Sequence, residues 1–122
     1  MSKTPPKTPP NLEDLSAALR AFNADRAWGA FHTPKDLALA LNVEAAEVLE
    51  LFLWSGAQTD LPPDRLDRLR HEAADVLICL LNLCDRAGID LAQAFLDKLA
   101  LNAQRYPVER AYGNAKKYDE HT

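Results

Sequence analysis

Thr33-Pro34-Lys35-Asp36-Leu37-Ala38-Leu39-Ala40-Leu41-Asn42-Val43-Glu44-Ala45-Ala46-Glu47-Val48-Leu49-Glu50-Leu51-Phe52-Leu53-Trp54 decides how the rest of the chain is read. It opens with a threonine cap, proline at the first helical position and an acid three residues after the cap, which together start a helix. The run then continues to about Trp54, where Ser55-Gly56 breaks it. Leu37, Leu39, Leu41, Val43, Val48, Leu49, Leu51, Phe52 and Leu53 leave it apolar on most sides. A helix of this kind is covered on more than one face, by other helices of its own chain and by a second copy.

Working outward, the segment before it is also helical. Asn11 caps, Glu13 and Asp14 fall in the first turn, and Leu12, Leu15, Ala18, Leu19 and Phe22 recur at helical spacing to about Arg26. Residues 27–32 read as an aromatic, glycine-interrupted loop. Beyond the 55–63 loop, a helix from about Asp64 to Arg86 stops at Gly88, where a left-handed residue is wanted. Asp90, with Gln93 three later, caps a fourth helix that Pro107 ends. No segment alternates as a strand does. The expected fold is all-α: an antiparallel four-helix bundle at residues 11–107, after a disordered proline-rich tail at 1–10 and before a C-terminal tail at 108–122.

Composition narrows the function classes. A chain of 122 residues, 48% hydrophobic and 26% charged, is one ordinary globular domain. A net charge of -4 argues against a nucleic-acid polymer as partner. The N-terminus has no apolar signal region and no later run is long and acid-free enough to span a bilayer, so a cytoplasmic protein without membrane contact is expected. Cys79 and Cys84 are five apart in one helix and face different ways, which suits buried free thiols in a reducing compartment.

The chemistry lies in two acidic pairs. Glu44 and Glu47 share a helical face, as do Glu72 and Asp75. Glu44 falls among Leu37, Ala40, Val48 and Leu51, and no lysine or arginine occurs between Lys35 and Arg65 to neutralise the first pair. Burying unpaired carboxylates is costly, so the pair calls for a cation from elsewhere. The second pair has a competing reading, because Arg68 sits four residues before Glu72 and can pair with it on a solvated face. An all-oxygen donor set selects Mg2+, with Mn2+ as the alternative. Neither pair continues as Glu-x-x-His, and His71 points about 100° away from Glu72.

Two further groups accompany the acids. Lys98, Asn102 and Arg105 share one face of the fourth helix; they suit a polyphosphate, although a solvated basic face has the same spacing. Trp28, Phe31 and His32 precede the second helix and Trp54 ends it, about 10 Å along the axis from Glu47. That span suits a nucleotide with its phosphates at the acids and its base at the aromatics, though tryptophans near loops also serve as core anchors.

Glu44-x-x-Glu47 and Glu72-x-x-Asp75, set among Trp28, Phe31-His32, Pro34, Glu50, Phe52-x-Trp54, Asp75-Val76-Leu77-Ile78, Lys98, Asn102, Arg105-Tyr106-Pro107 and Lys117-Tyr118, make a pattern that resembles a known family. It is similar to the MazG-like all-α nucleoside triphosphate pyrophosphohydrolases, and within them to the dCTP pyrophosphatases, over residues 12 to 118. The resemblance implies Mg2+ on Glu44, Glu47, Glu72 and Asp75, and hydrolysis of a nucleoside triphosphate to monophosphate and pyrophosphate. It implies a base pocket of Trp28, His32 and Trp54, and phosphate contacts or site closure by Lys98, Asn102, Lys117 and Tyr118 of the tail. It also implies a homo-oligomer, dimer or tetramer. Cys79 departs from the pattern, standing where dCTP-specific relatives carry a tyrosine. From the charges, Glu47 is the expected catalytic residue, orienting or deprotonating the attacking water. A dUTP-directed or broad-range hydrolase, or a non-catalytic helical module, fits the same helices.

Overall fold

The computed structural model describes residues 8–53, 61 and 63–116, and every regular element among them is helical. The order is α1 (Leu12–Asp25), a 3-10 turn (Trp28–Phe31), α2 (Pro34–Glu50), α3 (Pro63–Ala87), α4 (Leu91–Arg105) and α5 (Val108–Ala111). The four expected helices are present and the all-α class holds. The chain divides at Ile89/Asp90 into two compact units.

Local chemistry sets the helix ends. At α1 the Asn11 side chain accepts from Asp14 N at 2.8 Å while the Asp14 carboxylate accepts from Asn11 N at 3.0 Å, a reciprocal box that satisfies two otherwise orphaned donors. Thr33 Oγ1 accepts from Asp36 N at 3.2 Å, with Pro34 in the first turn. The α3 stop at Gly88 is built as expected: its φ is 71°, and Ile89 N donates back to Cys84 O at 2.8 Å, closing the turn in a Schellman-type bond.

Three boundaries differ from the sequence expectation. The second helix ends at Glu50, four residues short of Trp54, because its last bonds tighten: Leu51 N reaches Val48 O and Phe52 N reaches Leu49 O. Arg65 Nη1 of α3 then donates to Leu51 O at 3.2 Å, taking up one of the carbonyls that the helix end leaves free. Residues 27–32 hold a 3-10 turn entered through Ala27 at φ 52°. Val108–Ala111 forms a short helix on Pro107 within the expected tail. The expected disorder of residues 1–10 falls mostly outside the described residues.

In the first unit, α2 and α3 are the principal packed pair. Leu51 sits opposite Arg65 and Glu44 opposite Glu72 and Asp75, so the two helices run antiparallel. Leu37 and Leu51 from α2 and its cap, with Leu81 and Cys84 from α3, are the buried apolar residues among those described. Arg20 and Asn23 bring α1 onto α3 through Asp85 and Asn82. The second unit holds α4, capped by Asp90 Oδ1 on Gln93 N at 3.1 Å, and α5.

Candidate active site

The α2–α3 seam brings acids together. Spacing of three puts Glu44 and Glu47 on one face of α2, and Glu72 and Asp75 on one face of α3. The antiparallel pairing sets these faces against each other. Each of Glu44, Glu72 and Asp75 places a carboxylate oxygen within 4.8 Å of the others. Glu44 and Glu72 are half-buried and Asp75 is exposed. Glu47 lies outside that trio but stands beside Glu72, whose proton it helps to hold.

The electrostatics follow from this crowding. Glu72 holds its proton more tightly than an ordinary carboxyl, chiefly through the hydrogen bond to Glu47, then through burial and the charges of Glu47 and Asp75. Arg68 opposes the shift, but among the described residues it forms no ion pair with Glu72. Glu44 Oε2 and Glu72 Oε2 are buried without a hydrogen-bond partner. Two sequestered, unpartnered hard oxygens beside a third carboxylate fit a divalent cation of the oxygen-preferring kind. The seam is a candidate metal site. Cys79, one turn beyond Asp75, feels it too: burial, then the charges of Glu44 and Asp75, raises its thiol pKa.

The aromatic residues before α2 are gathered differently. Trp28 packs edge-on against Phe22 with ring centroids 5.6 Å apart, and against His32 at 6.2 Å. His32 lines a cavity of about 410 Å3 with Arg20, Asn23, Asn82, Asp85 and Arg86. Inside it Asn23 Nδ2 donates to Asn82 Oδ1 at 2.9 Å, and Arg20 bridges Glu13 and Asp85 at 2.6 and 2.7 Å. Neither asparagine stood out in the sequence, because their meeting depends on the register of α1 on α3.

In the second unit Lys98 and Asn102 line a shallow groove on α4 with Leu91, Phe95 and Leu99, and Arg105 closes the helix. Trp54, Lys117 and Tyr118 lie outside the described residues.

Comparison with known proteins places the chain in a family. The model of the MazG-like family matches residues 39–120. A dCTP pyrophosphatase 1 of Mus musculus is 42% identical over 116 residues, covering 91% of this chain and 68% of the mouse protein. That of Homo sapiens is 40% identical over the same shares. A pyrophosphatase from Archaeoglobus fulgidus, known from its crystal structure, superposes with a TM-score of 0.71 at 38% identity, covering 85% of this chain and 99% of the archaeal one. With four facing acids, all-helical architecture and relatives at this level over nearly its whole length, the chain belongs to the MazG-like family.

Proposed function

We propose that the chain is a Mg2+-dependent nucleoside triphosphate pyrophosphohydrolase that converts dCTP, or a modified dCTP, to the monophosphate and pyrophosphate, as a cytoplasmic enzyme clearing the nucleotide pool. The observation that carries the reading is the α2–α3 seam, where three carboxylates converge and two of their oxygens are buried without partners. The dCTP pyrophosphatase relatives support the reaction and the cytosine preference. Mn2+ suits the same donor set.

Glu44, Glu72 and Asp75 would hold the cation, which when bound supplies neutralisation of charge on the phosphate oxygens. Glu47 is the acid left outside the trio. Its carboxylate, beside Glu72 and outside the cation's ligands, orients a water toward the α-phosphorus and takes its proton. The new bond joins the water oxygen to the α-phosphorus, and the α–β bridging bond breaks to release pyrophosphate. We assign the phosphate contacts to Lys98, Asn102 and Arg105, with Lys117 and Tyr118. Trp28, His32 and Trp54 bind the base.

The active form is a homo-oligomer, dimer or tetramer. Leu39, Val43, Leu49 and Leu53 are exposed on or beside α2, Leu49 to 60%, more apolar surface than one helix leaves in water without a partner. Among the described residues no helix is long and apolar enough to cross a membrane.

A panel of canonical and modified nucleoside triphosphates with Mg2+, resolving the products, tests the function. Pyrophosphate release fastest from cytosine deoxynucleotides is expected, and orthophosphate as the primary product rejects attack at the α-phosphorus.

A further inference from the structure

The cavity at the His32 end of α3 contains an unfilled hydrogen-bonding pair. Asn23 and Asn82 come from different helices, and one bond joins them, Asn23 Nδ2 to Asn82 Oδ1 at 2.9 Å, in partly buried surroundings. That bond fixes each amide against the other. It leaves one amide oxygen, Asn23 Oδ1, and one amide nitrogen, Asn82 Nδ2, that make no hydrogen bond to a protein group among the described residues. Reversing both amides together still leaves one donor and one acceptor, so the complementarity does not depend on which way the pair is oriented.

Helical arithmetic relates this pair to the acids. At about 100° per residue, Asp75, Cys79 and Asn82 fall on one strip of α3, with Asn82 about 10 Å from Asp75 along the axis. The charges of Asp75 and Glu44 reach Cys79, in the middle of the strip. A nucleotide with its α-phosphate at the acids therefore carries its base toward the cavity, over a thiol that is small and uncharged. The cavity, about 410 Å3, has room for a pyrimidine and the water around it.

Resting on the pyrophosphohydrolase reading, we infer that the Asn23–Asn82 amide pair reads the hydrogen-bonding edge of a pyrimidine base. Asn82 Nδ2 donates to a ring acceptor and Asn23 Oδ1 accepts from the neighbouring exocyclic or ring N–H, a match that cytosine supplies through N3 and N4. The two asparagines are specificity-determining residues, as a site built to hydrogen-bond a group rejects analogues that lack it. Arg20, already committed to Glu13 and Asp85, takes no part in the reading and holds α1 at the register that makes the pair.

The test is kcat/KM for dCTP and for a deoxyribose triphosphate lacking a base, in the wild type and in Asn82→Ala and Asn23→Ala. The expected result is a fall of about tenfold or more in the ratio of dCTP to base-less substrate in each variant, carried mainly by KM for dCTP. Asn82→Asp, which removes the donor, is expected to shift preference away from bases presenting an acceptor. Circular dichroism melting identifies a variant that has unfolded, and the partner asparagine's variant then decides. A wild-type enzyme that releases pyrophosphate while neither variant changes the ratio overturns this inference alone. A wild type that hydrolyses no triphosphate overturns the function, and this inference with it.

Discussion

Two groups of acids on helix α3 are handled in opposite ways. Asp85, near its C-terminus, meets Arg20 at 2.7 Å and its charge is answered within the chain. Glu72 and Asp75 meet Glu44 and Glu47, so four acids face one another across the seam. Same residue types, same helix, and the difference is what α1 and α2 bring to them: a guanidinium in one case, more carboxylates in the other. Acids that a protein pairs internally serve its architecture. Acids that it crowds together unneutralised store an electrostatic cost that only something from outside relieves.

The comparison breaks most visibly under substitution at the seam. Asp75→Asn or Glu72→Gln is expected to lower Mg2+-supported turnover by about 10²–10³-fold while the protein remains helical, measured by pyrophosphate release alongside circular dichroism. Retention of full rate in both variants removes the seam from the chemistry. Glu47→Gln is expected to cost about 10²-fold in kcat with Mg2+-induced stabilisation retained, separating proton transfer from metal holding.

Cation binding sharpens the same contrast without touching the sequence. At a Mg2+ concentration one hundred times its dissociation constant, stabilisation against unfolding of about 2.7 kcal/mol is expected. Calorimetric melting with Mg2+ and with chelator measures it, and Asp85→Asn leaves the increment in place whereas Asp75→Asn removes it.

Protons act on the seam in the opposite sense from most carboxylates. The folded pKa of Glu72 lies above its ordinary 4.5, so between those two values the folded state binds more protons than the unfolded chain. Its contribution to stability is therefore full below 4.5 and is lost as pH rises through the folded value. Urea melts in chelator from pH 4 to 7 are expected to show this decline in the wild type and a flatter profile in Glu72→Gln. At the other end of α3 the effects are smaller. Gly88→Ala, forced into φ 71°, is expected to cost about 1 kcal/mol, and Asp85→Asn, losing an exposed ion pair, less than that change.

What the sequence disclosed divides along the same physical line. Thr33-Pro34, Asn11, Asp90 and Gly88 are local signals whose partners lie within a few residues, and each marked its helix end correctly. The 3-10 turn at Trp28–Phe31 and the four residues of α5 are too short to show a period. Helix α2 stops at Glu50 as its last bonds tighten, and the carbonyl of Leu51 is met by Arg65, fourteen residues on, which no pattern inside α2 announces. At the seam, spacing alone placed acids on facing surfaces, and Glu44, Glu72 and Asp75 converge there. The Asn23–Asn82 and Arg20–Asp85 contacts join residues 59 and 65 apart, and their register was not written in either helix alone.

Ala27 gives a protein engineer a specific handle. An L-residue at φ 52° costs about 1–2 kcal/mol relative to a right-handed one, and the chain carries that cost where it swings from α1 into the turn that seats Trp28 against Phe22 and His32. Asparagine, which tolerates this conformation without glycine's extra freedom in the unfolded chain, is the natural replacement there. Ala27→Asn is thus a route to a sturdier scaffold that leaves every acid, amide and aromatic side chain discussed above in place.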